Sequence, residues 1–221
     1  MPKSKYIFFE LDGTLTDSAE GITNSVAYAL EKFGIQVTDK KELNRFVGPP
    51  LVPAFMEFYG FDEEKAKKAV EYYRERFRDI GIFENSVYMG VRELLEVLRA
   101  KGYILVIATS KPEAFAKRIA EHFDLAKYFT YIAGATFDGK IGTKTEVIEY
   151  AIKVLNISDR REVVMVGDRH HDAEGARNTG LDFVGVLYGY GSREELEKAG
   201  ATLIAQTPTD IENCCNKSKG W

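Results

Sequence analysis

Two carboxylates stand two residues apart where an apolar run ends near the start of the chain: Glu10 and Asp12, in Phe8-Phe-Glu-Leu-Asp-Gly-Thr-Leu-Thr-Asp-Ser18. Side chains on a strand alternate faces, so positions i and i+2 share one, and a bend at Gly13 brings both to one mouth. Paired carboxylates of this kind can do nucleophilic and proton-transfer work, with a cation offsetting their repulsion. Acids at a strand end can also be solvated or cap the next turn, and a lone pair leaves that reading open.

Three more polar groups follow apolar runs. Thr109-Ser110-Lys111-Pro112 comes after Ile104-Leu-Val-Ile-Ala108. Pro112 suits the first turn of a helix, whose hydroxyls and free N–H groups can hold a phosphate or simply cap the helix. Thr143 and Glu146 have the spacing of a capping box, which starts a helix and puts Lys144 in its first turn. The positive end of the helix dipole disfavours a cation there, so Lys144 is either solvated or kept for another purpose. In Val163-Val-Met-Val-Gly-Asp168-Arg-His-His-Asp172, an apolar run ends in a carboxylate with a second four residues on. Oxygen ligands at a strand end suit a hard octahedral cation such as Mg2+. Asp172 also reads as the N-cap of a helix over 173–179 closed by Gly180. His170 and His171 find one further histidine, His122, and no cluster suited to a transition metal.

The elements that must position these groups read as short buried strands at 6–11, 103–108, 130–133, 163–166 and 183–186, the later ones separated by helices. Such alternation predicts an α/β fold, a Rossmann-like doubly wound parallel sheet with its site at the C-terminal strand ends. The gap after the first strand is too long for one crossover. Within it, Ile22, Val26, Leu30 and Phe33 share a helical face ending at Gly34. Asp62 caps a second helix carrying Ala66, Ala69, Val70, Tyr73 and Phe77. A turn-rich break, 46–51, lies between. The expectation is a core of 1–17 and 85–221 with a helical cap, 18–84, inserted over the mouth of the sheet. Residues 216–221 read as a polar tail that frays.

At 221 residues, 45% hydrophobic and 29% charged, the composition is that of a globular protein. A net charge of −4 without basic blocks argues against a nucleic-acid polymer as partner. Cys214 and Cys215 are adjacent, which fits neither a disulfide framework nor a zinc site. No signal-peptide pattern or membrane-length run is present, so a cytoplasmic, membrane-free protein is expected. Oligomeric state is not encoded in any pattern found.

The string from Phe8 to Ser18 resembles the first motif of the haloacid dehalogenase superfamily, which are mostly phosphatases. That motif is Asp-x-Asp-Gly-Thr, and Glu10 stands at the nucleophilic aspartate. Thr109, Lys144 and Asp168 match the later motifs in the family's order. The resemblance implies a phosphomonoesterase acting on a small phosphorylated metabolite through an acyl-phosphate. Glu10 would attack phosphorus and Asp12 would act as general acid and base. Thr109, Ser110 and Lys144 would hold the phosphate. Mg2+ would be held by Glu10, Asp12 and Asp168, and Asp172 would support Lys144 or a metal-bound water. Stretches 45–51, 83–88, 167–172 and 185–191 resemble the phosphoglycolate phosphatase and 5′-nucleotidase-like group. Specificity would then fall to cap and hinge residues, with Arg45, Gly48 and Tyr88 as candidates; Arg45 also reads as a solvated helix residue. A glutamate moves the attacking oxygen by about 1.5 Å, one C–C bond. A misplacement near 1 Å can cost about 100-fold in rate, so turnover is expected to be impaired. A catalytically silent phosphate-binding protein and a phosphosugar mutase are the alternatives.

Overall fold

The computed structural model describes residues 5–217. The chain runs β1 (Tyr6–Phe9), β2 (Thr16–Asp17), α1 (Ala19–Glu31), α2 (Leu51–Tyr59), α3 (Glu63–Phe77), β3 (Ser86–Val87), α4 (Val91–Ala100) and β4 (Ile104–Pro112). It continues through α5 (Glu113–His122), β5 (Tyr131–Ala135), α6 (Lys144–Val154), β6 (Val163–Gly167), α7 (His170–Thr179), β7 (Asp182–Val186), α8 (Arg193–Lys198), β8 (Leu203–Ala205) and α9 (Asp210–Lys217). Residues 218–221 of the expected tail lie outside the described residues, whereas Asn216 is helical. No helix among the described residues is long and apolar enough to cross a membrane.

Two compact units emerge, Met1–Thr16 with Val87–Trp221, and Asp17–Ser86. The first holds a six-stranded sheet in the order β5-β4-β1-β6-β7-β8. Every neighbouring pair is parallel. This is the α/β, Rossmann-like architecture the strand–helix alternation predicts. Parallel strands covered on both faces must be apolar throughout, and Ile7, Phe8 and Phe9 are all fully buried. Phe8, Val106, Ala108 and Met165 share one face and pack on Val147, Ile148 and Ala151 of α6 and Ala173 and Ala176 of α7. Because β1 lies between β4 and β6, with Phe9 level with both Ile107 and Val166, Glu10 is flanked by the ends of both neighbours.

The second unit is helical. Asp62 accepts the Lys65 N–H at 2.7 Å and starts α3, whose Ala66, Ala69, Val70, Tyr73 and Phe77 are buried as their spacing predicts. Ile22, Val26 and Leu30 of α1 are likewise buried. Phe33, Phe46, Phe55 and Phe61 form its aromatic core. Arg76 forks onto Glu84 at 2.7 and 2.8 Å, and Asn24 donates to the same carboxylate. The expected break, 46–51, overlaps helix α2 at Leu51, and no helix is expected over 51–59, where Pro53 sits inside the apolar run. Pro53 is the third helical residue, where no N–H is needed, so it begins the helix instead of breaking it.

Three local expectations differ from the structure. β4 runs on to Pro112, which precedes α5 rather than lying in its first turn. Strand pairing to Ala135 holds Pro112 extended, with ψ 129°. Helix α7 begins at His170, so Asp172 sits inside its first turn and caps from within, accepting the Arg169 N–H at 3.1 Å. β8, of three residues, is too short to leave a periodic signal.

Candidate active site

Each candidate side chain reaches the mouth of the sheet for a local reason. Glu10 continues β1, its N–H donating to Val166 O at 2.9 Å. A tight turn follows: the N–H groups of Leu15 and Thr16 donate to Leu11 O, and Gly13 N–H to Thr16 O. Gly13 has φ +82°, and a Cβ there would stand 2.3 Å from Asp168 Oδ2, so only glycine admits the turn. Gly167 is required for a related reason, since a Cβ would stand 2.4 Å from that of Asp172. Thr143 and Glu146 form the predicted capping box, and α6 opens with Lys144.

The structure brings Glu10, Asp12, Thr109, Lys144, Asp168 and Asp172 together within the first unit, all buried. Lys144 Nζ contacts Glu10 Oε2, lies 3.0 Å from Asp172 Oδ1 and donates to Ala108 O at 3.0 Å. Thr109 Oγ1 donates to the other Glu10 oxygen at 2.5 Å. Thr109 thus does not cap α5; its oxygen accepts the Lys111 N–H at 3.1 Å. Ser110 is half-buried, and among the described residues no hydrogen bond joins its side chain to the cluster.

Asp12 and Asp168 complete the mouth. Lys111 Nζ stands 3.0 Å from Asp12 Oδ2, while Asp12 Oδ1 is buried with no hydrogen-bond partner. Asp168 accepts the Tyr190 N–H at 2.8 Å and a long bond, 3.4 Å, from Thr14. Burial, then the nearby Asp172 carboxylate, push Asp168 up to about 7. The loop around it contains Gly189 and Gly191, where a Cβ would stand 2.3 Å from Gly13 O and 1.9 Å from Asp168 O respectively. Tyr188 donates to Thr14 O at 2.9 Å, and its hydroxyl is raised by burial and then by Asp168.

Sequence reasoning did not single out Lys111, Thr14, Tyr188 or Tyr190. The Thr-Ser-Lys-Pro and Gly-Tyr-Gly strings were visible, but which side chain turns inward depends on the backbone. Of the proposed specificity residues, Tyr88 belongs to the first unit, its N–H on Leu15 O and its ring edge-on to Tyr188 at 5.1 Å. Arg45 belongs to the second, exposed and stacked over Phe58 at 4.5 Å. Gly48, also there, has φ +105°. His170 Nδ1 meets Glu195 at 2.7 Å, and the His171 ring lies tilted against that of His170, centroids 3.8 Å apart.

A hard divalent cation fits this donor set. Glu10, Asp12, Asp168 and Asp172 are four buried carboxylates; Lys111 pairs with Asp12, Lys144 with Glu10 and Asp172, and Arg169 acts on Asp168. Asp168 is buried and raised by that burial and by the Asp172 carboxylate, a cost that a cation beside it would offset. Among the described residues no group of three His, Cys, Asp or Glu side chains is placed to hold a metal, so Glu10, Asp12 and Asp168 do not form the expected side-chain trio, and Glu10 is engaged by Lys144 and Thr109. Backbone carbonyls and waters would therefore make up the shell.

Comparisons with known proteins agree with this geometry. The family model for haloacid dehalogenase-like hydrolases matches residues 7–186. A 5′-nucleotidase of Pseudomonas aeruginosa is 47% identical over 190 residues, covering 86% of each chain. The tyrosine-protein kinase PtkA of Mycobacterium tuberculosis is 39% identical over 203 residues, covering 92% of this chain and 69% of its own. The crystal structure of a predicted phosphatase from Clostridium acetobutylicum superposes with a TM-score of 0.93 at 52% identity, covering 95% of this chain and 97% of that one.

Proposed function

This chain belongs to the haloacid dehalogenase-like hydrolase family, and from that premise we propose that it is a Mg2+-dependent phosphomonoesterase whose turnover is held back by Glu10. The observation that carries the proposal is the pairing of Glu10 with Thr109 and Lys144 beside Asp12. A nucleophile, two donors for phosphoryl oxygens and a second carboxylate form the constellation that phosphoryl transfer to a side chain needs.

In the proposed reaction, Thr109 Oγ1 and Lys144 Nζ take the equatorial phosphoryl oxygens. A Glu10 oxygen forms a bond to phosphorus as the bond to the leaving oxygen breaks, and Asp12 supplies that oxygen with a proton. Asp12 then takes a proton from water as the water oxygen bonds phosphorus and the Glu10–phosphorus bond breaks, releasing phosphate. Glu10, Asp168 and the backbone carbonyl of Asp12 are the groups that would hold Mg2+, whose charge would offset that of the carboxylates and the phosphate, and the Asp12 side chain is kept for proton transfer. Asp172 holds Lys144 in place.

Glu10 argues for slow turnover. Its carboxylate is closed on the same Thr109 and Lys144 groups that would grip the substrate, so the longer side chain occupies part of the phosphate cradle. That observation also favours a second reading, a protein that binds phosphorylated compounds without turning them over. For the substrate, the 47% identity to a 5′-nucleotidase favours nucleoside 5′-monophosphates over phosphoglycolate, whose phosphatases match at 24–25%. The test is phosphate release from nucleoside monophosphates, phosphoglycolate, sugar phosphates and 4-nitrophenyl phosphate, with Mg2+ and with EDTA. Mg2+-dependent release, greatest with nucleotides, is expected. Isomerised sugar phosphate without release would point to a mutase. Binding without turnover, in this chain and in Glu10→Asp, would establish the silent reading.

A further inference from the structure

Between Thr109 and Pro112 the pairing of β4 with β5 slips: Thr109 is level with Gly134, yet Pro112 is level with the next residue, Ala135. Ser110 and Lys111 are thus extra residues on β4. Such bulges re-aim side chains beside active sites. The slip is held by close packing, since a Cβ on Gly134 would stand 2.6 Å from Lys111 O and 2.5 Å from Glu113 Cα. The Lys111 N–H is anchored to Thr109 Oγ1. The outcome is a buried lysine, 9% exposed, whose Nζ lies 3.0 Å from Asp12 Oδ2. The other Asp12 oxygen is left buried without a hydrogen-bond partner.

We propose that Lys111 is a positioning residue for proton transfer: it fixes one oxygen of Asp12 and thereby presents the other to the leaving group. This deepens, and rests on, the phosphomonoesterase reading. The turn at 11–16 fixes the Asp12 backbone but leaves χ1 and χ2 free, and Lys111 is the ion-pair partner that chooses among their orientations. The proton on the presented oxygen passes to the leaving oxygen as the phosphorus–oxygen bond breaks, and the same oxygen later accepts a proton from water. Lys111 neither gives nor takes a proton.

The test compares kcat/KM, which reports the steps through leaving-group departure, for a nucleoside 5′-monophosphate and for 4-nitrophenyl phosphate. The alkoxide leaving group needs a proton and the nitrophenolate does not. In both the parent chain and Glu10→Asp, Lys111→Met should lower kcat/KM for the nucleotide about 10-fold or more beyond its effect on the aryl ester. Asp12→Asn should show the same bias, and Lys111→Arg should restore part of the loss. Equal loss with both substrates, or none, overturns the proposal. If no form turns over, the phosphatase reading has failed and Lys111 is judged on thermal unfolding. A Tm loss from Lys111→Met that largely vanishes in Asp12→Asn supports the pairing, and equal losses in both backgrounds overturn it.

Discussion

One methylene separates Glu10 from an aspartate, and its consequences are local. A shorter carboxylate would withdraw from Lys144 and Thr109 and leave their donors for phosphate. Lys144 is itself closely fitted, for a Cβ on Gly175 would stand 2.4 Å from its Cγ. Gly175→Ala should therefore destabilise the fold by about 1–3 kcal/mol and lower phosphate release, as Lys144 is pushed from its place. Denaturant unfolding and a phosphate assay check both, and an unchanged midpoint and rate would contradict the packing argument. Glu10, Asp12, Thr109, Lys144 and Asp168 could be singled out in the sequence because they stand at or near the ends of apolar runs or at the start of a capped helix, and because their order resembles the family's motifs. Lys111 could not, because its direction is set by a two-residue slip against β5.

At the scale of elements, the parallel strands announce themselves because burial on both faces makes them continuously apolar. α2 and β8 did not, the first masked by Pro53 and the second too short for periodicity. In the second unit, Glu84 ties the segment after α3 to both α3 and α1 through Arg76 and Asn24. Hydrogen bonds from Arg76 hold its carboxyl below the usual glutamate range. A carboxyl lowered on folding contributes stability above its unfolded pKa, near 4.3, and loses it as pH falls through the folded value. Glu84→Gln should therefore lower Tm at pH 7 and flatten the fall in Tm between about pH 5 and pH 3. The pair is partly exposed, so the effect should be modest, about 1 kcal/mol or less. Parallel acid-melting curves for the two proteins would refute the assignment.

Across the whole molecule, strand order does the assembling. With β1 between β4 and β6, residues nearly 160 positions apart in the chain, Glu10 and Asp168, arrive at one mouth. The buried carboxylates gathered there make cation binding a global stability term. Mg2+ at about 100 times its Kd should stabilise the protein by about 2.7 kcal/mol, and Asp168→Asn should lose most of that gain. A thermal-shift titration reads both, and equal shifts in the two proteins would remove Asp168 from the ligand set. The central claim, a phosphatase framework restrained at its nucleophile, meets its most direct test in Mg2+-dependent phosphate release by the parent chain and Glu10→Asp, side by side on a nucleoside 5′-monophosphate. We predict that Glu10→Asp is faster by about 100-fold or more. A variant no faster than the parent would mean that the site accommodates glutamate, and would contradict the account.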